Sequence, residues 1–155
     1  MNYKLILLLA TVGLAACEKV EDPFVDRVVA PVLVVIDNAT GDGGGLTGEP
    51  VINQKVAGPV TLGVRIYELD KSGILDNTVG IDSIPVAGLA LKLTTRTGTA
   101  LGDLTTDAAG RATLTRTWAE LGVAAPRAGS SVLLTWTGAH KGQAFARLAR
   151  VQAVN

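Results

Sequence analysis

The chain is poor in the residues from which catalytic and metal sites are most often built. It has one cysteine and one histidine among 155 residues, and aromatic side chains make up 4% of it. A single cysteine excludes a disulfide within the chain and any metal cluster held by cysteines. A single histidine argues against a histidine-rich metal site and against histidine-centred catalysis. We therefore expect no cofactor and no enzymatic activity.

Charge is also scarce and closely balanced. Lysine and arginine number 14, aspartate and glutamate number 14, and charged residues are 18% of the chain. A balanced chain has no general electrostatic attraction to nucleic acid or to an anionic membrane surface. We expect no nucleic-acid partner.

Residues 1–16 have the organisation of a secretory signal peptide. Lys4 supplies a short positive region, and the apolar stretch after it runs for about a dozen residues. A membrane-spanning helix needs about 20 apolar residues, so this stretch is too short to be one. Removing 16 of the 155 residues leaves 139, which is enough for one domain with a buried core.

The leader ends in a motif that contains the only cysteine, Leu14-Ala15-Ala16-Cys17. This motif resembles the lipobox of bacterial lipoproteins, in which a leucine and two small residues precede the cysteine. The resemblance implies cleavage after Ala16, a thioether bond from Cys17 to diacylglycerol, and acylation of the new N-terminus. The protein would then lie in the bacterial cell envelope, at the outer membrane, and contact the bilayer through its acyl chains. An ordinary secretory signal with an incidental cysteine is the alternative.

Residues 17–27 predict a flexible tether behind the lipidated cysteine. The run from Glu18 to Pro23 is charged and has no apolar periodicity. It loosely resembles the surface-export signal of Bacteroidota lipoproteins, and a plain solvated tether is the alternative, so surface and periplasmic orientations both stay open. Because several acyl chains hold a protein firmly, the domain would need no apolar membrane-binding face of its own.

The remaining residues, 28–155, predict a single all-β domain. Apolar and polar residues alternate with the period of a strand that is buried on one face. These alternating segments are 59–69, 89–94, 112–115 and 132–137. Strands separated by turns, with almost no helical pattern, favour an antiparallel β-sandwich. In this arrangement Leu91, Leu134 and Trp136 point into the core, whereas Lys92 points outward.

Several segments depart from simple alternation. Pro31 limits the run 28–36 to an edge strand or two short pieces. The glycine-rich segment 37–48 is predicted to be a loop, and 118–121 at most one helical turn. In the last predicted strand, 143–151, apolar residues fall on opposite faces, which indicates either a bulge or a strand that is apolar on both sides.

Residues 85–114 carry the most specific pattern. The sequence Pro-Val-Ala-Gly-Leu begins at Pro85, Thr97-Gly98 marks a turn, and Thr-Asp-Ala-Ala-Gly begins at Thr106. This pattern resembles the bacterial Ig-like domain of the invasin/intimin group, over about residues 56–137. Carboxypeptidase-regulatory-like and transthyretin-like sandwiches share the Thr-Asp-x-x-Gly turn. The resemblance implies an Ig-like β-sandwich that acts as a stalk, spacer or adhesive module, without catalytic residues.

The turn from Asp107 to Gly110 makes a specific structural prediction. Aspartate at the first position can accept hydrogen bonds from the backbone that follows it, and glycine can supply the positive φ that closes a turn. We expect a tight connection between two antiparallel strands, the first ending near Thr106 and the second beginning near Arg111.

Two aromatic residues, Trp118 and Tyr67, are the candidate ligand-binding side chains. They support an alternative function, a glycan- or ligand-binding accessory lipoprotein of an outer-membrane uptake system. Asp37 and Asp42 are weak candidates for Ca²⁺, because carboxylate oxygens crowd one loop, but local turn chemistry is the favoured explanation for them. His140 is expected to be solvated at a hairpin tip.

Overall fold

The structure, a computed structural model, describes residues 30–40 and 49–155. In this part of the chain it has ten β-strands and no helix. The strands are β1 (Leu33–Ile36), β2 (Ala39–Thr40), β3 (Val51–Lys55), β4 (Val60–Asp70), β5 (Asp82–Pro85), β6 (Ala90–Thr95), β7 (Ala100–Thr105), β8 (Arg111–Arg116), β9 (Ser131–His140) and β10 (Gln143–Val154). The predicted all-β fold is confirmed. None of the described residues forms a helix with the length and apolarity needed to cross a membrane.

The strands form two sheets that share one core, as in a β-sandwich. In the four-stranded sheet β4 is central, with β1 along one side and β8 followed by β5 along the other. The six-stranded sheet has the order β2-β3-β10-β9-β6-β7. Every pair is antiparallel except β3 with β10, where Val51 lies opposite Arg150 in a parallel pair. The predicted antiparallel sandwich is therefore mostly antiparallel with one parallel pair, which the long connection between β3 and β10 permits and a hairpin would not.

The core follows the predicted alternation. Apolar side chains of β4 at alternate positions are completely buried, and Trp136 of β9 is buried between the sheets. The fully buried large side chains come from both sheets: Ile52, Val60, Leu62, Val64, Ile66, Leu93, Leu134, Trp136 and Val151. In β10, Ala149 is buried while its neighbour Leu148 is exposed. The pairing of β9 with β10 runs without a register shift, so this strand is apolar on both sides and the bulge is excluded.

The N-terminal part of the domain differs from the sequence prediction in detail. Strand β1 starts two residues after Pro31 and lies at a sheet edge, as expected for a segment with a proline. The segment predicted as a loop, 37–48, contains the two-residue strand β2, which pairs with β3. Its residues 41–48, like residues 1–29, lie outside the described part of the chain.

The two ends of the sandwich are distinct. At the end that we call the N-terminal end, the first described residues lie beside the end of β4, since Leu33 pairs with Tyr67. The β4–β5 connection and the β9–β10 hairpin lie at the same end. The distal end holds the β6–β7 hairpin and the segment that follows β8. For residues 118–121 of this segment the sequence predicts at most one helical turn, and the structure has a turn capped by side chains. There Thr117 and Glu120 bond each other's backbone amides.

Candidate functional site

The turn from Asp107 to Gly110 has the predicted local geometry. Gly110 has a φ of 71°. Asp107 accepts hydrogen bonds through Oδ1 from the amides of Ala109 and Arg111, each at 2.9 Å. The hydrogen bonds within the turn and the positive φ of Gly110 therefore agree with the prediction from its own sequence.

The turn does not join paired strands, so one part of that prediction is wrong. Strand β7 ends at Thr105 in the six-stranded sheet, and β8 begins at Arg111 in the four-stranded sheet. The connection therefore crosses from one sheet to the other. The amide of Ile66 in β4 donates to the carbonyl of Gly110 at 2.9 Å, which attaches the turn to β4 where β8 begins.

Asp37 is buried between two arginines. It is 5% exposed, and its carboxylate oxygens lie 2.7 Å from Arg65 Nε and 2.7 Å from Arg111 Nη2. The two arginines face each other across β4 and β8, and Gly63 leaves room for the carboxylate, because a Cβ there would lie 2.7 Å from Asp37 Oδ2. The hydrogen bond and charge of Asp37 raise the pKa of Arg65 above its ordinary value.

This ion-pair cluster argues against the weak candidacy of Asp37 as a calcium ligand. Its oxygens already face guanidinium groups, whose positive charge opposes a cation. Among the described residues no grouping of three or more histidine, cysteine, aspartate or glutamate side chains could hold a metal ion. The other candidate, Asp42, lies outside the described residues.

Trp118 and Tyr67 do not form a joint binding surface. Trp118 is 4% exposed, and its indole Nε1 donates to the carbonyl of Lys55 at 3.0 Å. The ring is thus packed in the core with its polar group bonded, which argues against a role for Trp118 in stacking on a ligand. Tyr67 is half-buried and lies near the other end of the sandwich. Trp118 follows Arg116, which pairs with Val60 at the start of β4, and Tyr67 lies seven residues further along that strand, or about 23 Å from Val60.

His140 is not the solvated side chain that the sequence predicts. It ends β9, and the turn after it consists of Lys141 and Gly142, both with positive φ as in a type I′ hairpin. The imidazole Nε2 lies 3.2 Å from Glu68 Oε2, and the ammonium of Lys141 bonds the other oxygen of Glu68. Since Glu68 is in β4 and His140 in β9, this cluster joins the two sheets at the N-terminal end.

We expect Glu68 to stabilise the domain in a pH-dependent way. Hydrogen bonds from Lys141 and then His140 hold the pKa of Glu68 below its ordinary value. Its contribution is therefore present above the ordinary glutamate pKa and is lost as the pH falls through the lowered pKa of the folded state. The free energies of unfolding of the wild type and of Glu68→Gln should differ at neutral pH and converge as the pH falls below the ordinary pKa of glutamate. A difference that does not change with pH would contradict this role.

A groove at the distal end could hold a ligand. It has a volume of about 700 Å³ and lies between the β6–β7 hairpin, the turn after β8 and the start of β9. Its lining includes Thr95, Thr97, Thr99, Glu120 and Val132. Hydroxyl groups beside apolar side chains can bind a polar organic ligand.

Sequence reasoning missed the partners of these side chains. Arg65, Arg111 and Glu68 are ordinary polar positions in strand patterns, and only the register of β4 against β8 and the approach of β9 bring them together. Cys17 lies outside the described residues, so its role stays a prediction. Comparisons with family models, with curated proteins and with solved structures give no match to this chain.

Proposed function

We propose that the protein is a lipid-anchored bacterial envelope protein whose Ig-like domain acts as a non-catalytic structural, binding or adhesion module. The observation that carries this proposal is the motif from Leu14 to Cys17, in which the only cysteine of the chain occupies the position that lipidation requires. The apolar stretch before it is the length of a signal peptide and too short for a membrane span.

The strand order supports the Ig-like part of the proposal. In immunoglobulin domains strands A, B and E are neighbours in one sheet, and C, F and G are neighbours in the other. Here β1, β4 and β8 have the first order, and β6, β9 and β10 have the second. Strand β7, outside β6, then corresponds to the additional strand C′ of variable-type domains. The parallel strand β3 and the short strand β5 are additions to this frame.

The contacts of the polar side chains support a non-catalytic role. The buried carboxylate of Asp37 is bound to two arginines, and His140 contacts Glu68 across the two sheets. Trp118 is bonded to a backbone carbonyl. Asp37, His140 and Trp118 are thus engaged in holding the strands together.

We expect Cys17→Ser to abolish acylation and to release the protein from the membrane fraction, because the thiol is the only group in the motif that can accept the lipid. Incorporation of labelled palmitate, followed by fractionation of the cells, measures both effects. Val20→Ser, in the tether, is the control and should retain the label. A Cys17→Ser protein that still incorporates palmitate and stays with the membrane would overturn the lipoprotein proposal.

A second candidate function is ligand binding as an accessory lipoprotein of an uptake system. The observation that favours it is the distal groove, which lies at the opposite end of the sandwich from the point where the tether joins. A ligand there would approach from the side away from the anchoring membrane. The candidate site is thus the threonine-lined groove, and not the aromatic residues Trp118 and Tyr67.

A further inference from the structure

Exposed apolar side chains are concentrated in one segment at the N-terminal end. We call residues 71–84, the β4–β5 connection with most of β5, the apolar arm. Five of the six large apolar side chains exposed in the described residues belong to it: Ile74, Leu75, Val79, Ile81 and Ile84. Leu75 is 99% exposed and Val79 is 66% exposed. A concentration of exposed apolar side chains in one segment is typical of a site of contact with another apolar phase.

The arm has a defined shape. Its base is the pairing of β4 with β5, and the amides of Val79 and Gly80 donate to the carbonyl of Asp76. Gly73 packs against Val79, where a Cβ would lie 2.3 Å from Val79 Cγ1. In this folded segment Ile74 is more than half exposed and Leu75 almost completely exposed.

The arm lies where the chain enters the domain. A groove with a volume of about 340 Å³ is bounded on one side by Ala30 to Leu33 and on the other by Glu68, Leu69 and Lys71, at the base of the arm. Ala30 follows Cys17 by 13 residues, which can span at most about 45 Å. Acyl chains on Cys17 would therefore hold a bilayer within reach of the arm.

We propose that the apolar arm inserts into the surface of the bilayer that anchors the protein, with Ile74, Leu75 and Val79 as the inserted side chains. This inference rests on the proposed lipid anchor. The charges of the arm specify the lipid: Asp76 and Asp82 lie on it and Asp70 beside it, against the single cation Lys71. The arm therefore prefers zwitterionic headgroups and is repelled by anionic ones.

Because the protein is tethered, a small apolar surface is sufficient for contact with the bilayer. A surface held near the bilayer by a short tether meets it at a high effective concentration, so a contact too weak to bind free protein becomes occupied. The anchor and the arm are then two points of attachment at one end of the domain. Together they orient the sandwich with its distal groove away from the membrane.

The test uses the full acylated chain reconstituted in phosphatidylcholine vesicles. Because Cys17 is acylated, an introduced cysteine is the only free thiol, and it can carry a nitroxide spin label. We choose Asn77→Cys on the arm and Thr97→Cys on the β6–β7 hairpin at the distal end. We expect the label at 77 to gain accessibility to oxygen and lose accessibility to a water-soluble nickel chelate, while the label at 97 stays accessible to the chelate.

Substitutions distinguish insertion from mere proximity. Changing Ile74, Leu75 and Val79 together to serine should restore access of the chelate to position 77. Leu148→Ser, which changes an exposed apolar residue outside the arm, should not. Replacing part of the zwitterionic lipid by phosphatidylglycerol should weaken the protection.

Other outcomes would overturn the proposal. Equal chelate access at positions 77 and 97 would mean that the arm stays in water, and protection that rises with the protein-to-lipid ratio would mean that a second copy covers it. Stronger protection on anionic lipid would contradict the charge argument. Flotation with the vesicles separates the proposal of a lipid anchor from the proposal of insertion. If the protein floats with the vesicles but position 77 stays accessible to the chelate, only insertion is disproved. If the chain purified from cells carries no acyl groups, both proposals fail, because nothing would then hold the bilayer beside the arm.

Discussion

Replacing Gly110 by alanine is expected to destabilise the domain by about 3 kcal/mol or more. A φ of 71° costs a residue with a Cβ about 1–2 kcal/mol. The added Cβ would also lie 2.5 Å from the carbonyl oxygen of Ile66 and 3.1 Å from the amide nitrogen of Val86. These are backbone atoms of the four-stranded sheet and of the chain that leaves it, so neither can rotate away. Denaturant unfolding of the purified domain measures the loss.

Gly88 provides a matched control for this prediction. Its φ of 69° is almost the same, but a Cβ there would have no heavy atom within 4 Å. Gly88→Ala should therefore lower the free energy of unfolding only by the cost of positive φ for a residue with a Cβ, about 1–2 kcal/mol. The difference between the two variants measures the close approach of the turn to β4. Equal losses would mean that the turn can move away from Ile66 at no cost.

Leu134→Ala is the second substitution with a large expected effect, a loss of about 2–5 kcal/mol in the free energy of unfolding. Leu134 is completely buried in β9, a strand with paired neighbours on both sides. Truncation leaves a cavity that the paired backbone cannot close by moving inward. The measurement is the unfolding midpoint in urea at an unchanged slope, which reports stability without a change in the denatured state.

Lys92→Ala in β6 is the control for the core prediction. Lys92 is exposed and lies next to the buried side chains Leu91 and Leu93 in the same strand. Its truncation removes no core contact, so the change in stability should stay within about 0.5 kcal/mol. If Lys92→Ala and Leu134→Ala shifted the midpoint equally, the assignment of the faces of these strands would be wrong.

Those features of the fold that depend on neighbouring residues are predictable from the sequence. Alternation in β4, β6 and β9 identifies the buried faces, because a strand turns successive side chains to opposite sides. The turn at Asp107 is equally local: a side-chain oxygen accepts nearby amides, and glycine tolerates positive φ. Trp136 could be placed in the core because it stands in an alternating segment.

Features that depend on residues far apart in sequence could not be predicted. Asp37 resembles a calcium ligand when only its own loop is considered, and its partners Arg65 and Arg111 come from two other strands. His140 looks solvated in a segment with glycines at 138 and 142, but it contacts Glu68 from 72 residues away. Trp118 follows a strand in a polar context, and the carbonyl that its indole bonds belongs to Lys55. In each case the register between strands decides the role of the residue.

The position of β10 has a consequence for how the chain folds. It is the last strand in the described sequence, yet it lies inside its sheet, between β3 and β9. Its contacts with β3 join residues about 100 positions apart. During synthesis the ribosome therefore completes β3 long before its neighbour exists, and both β3 and β9 carry open backbone edges until residues 143–154 emerge. Formation of the native six-stranded sheet therefore waits for β10 and is slowed by non-local pairing, and until then the chain must be kept from pairing with others.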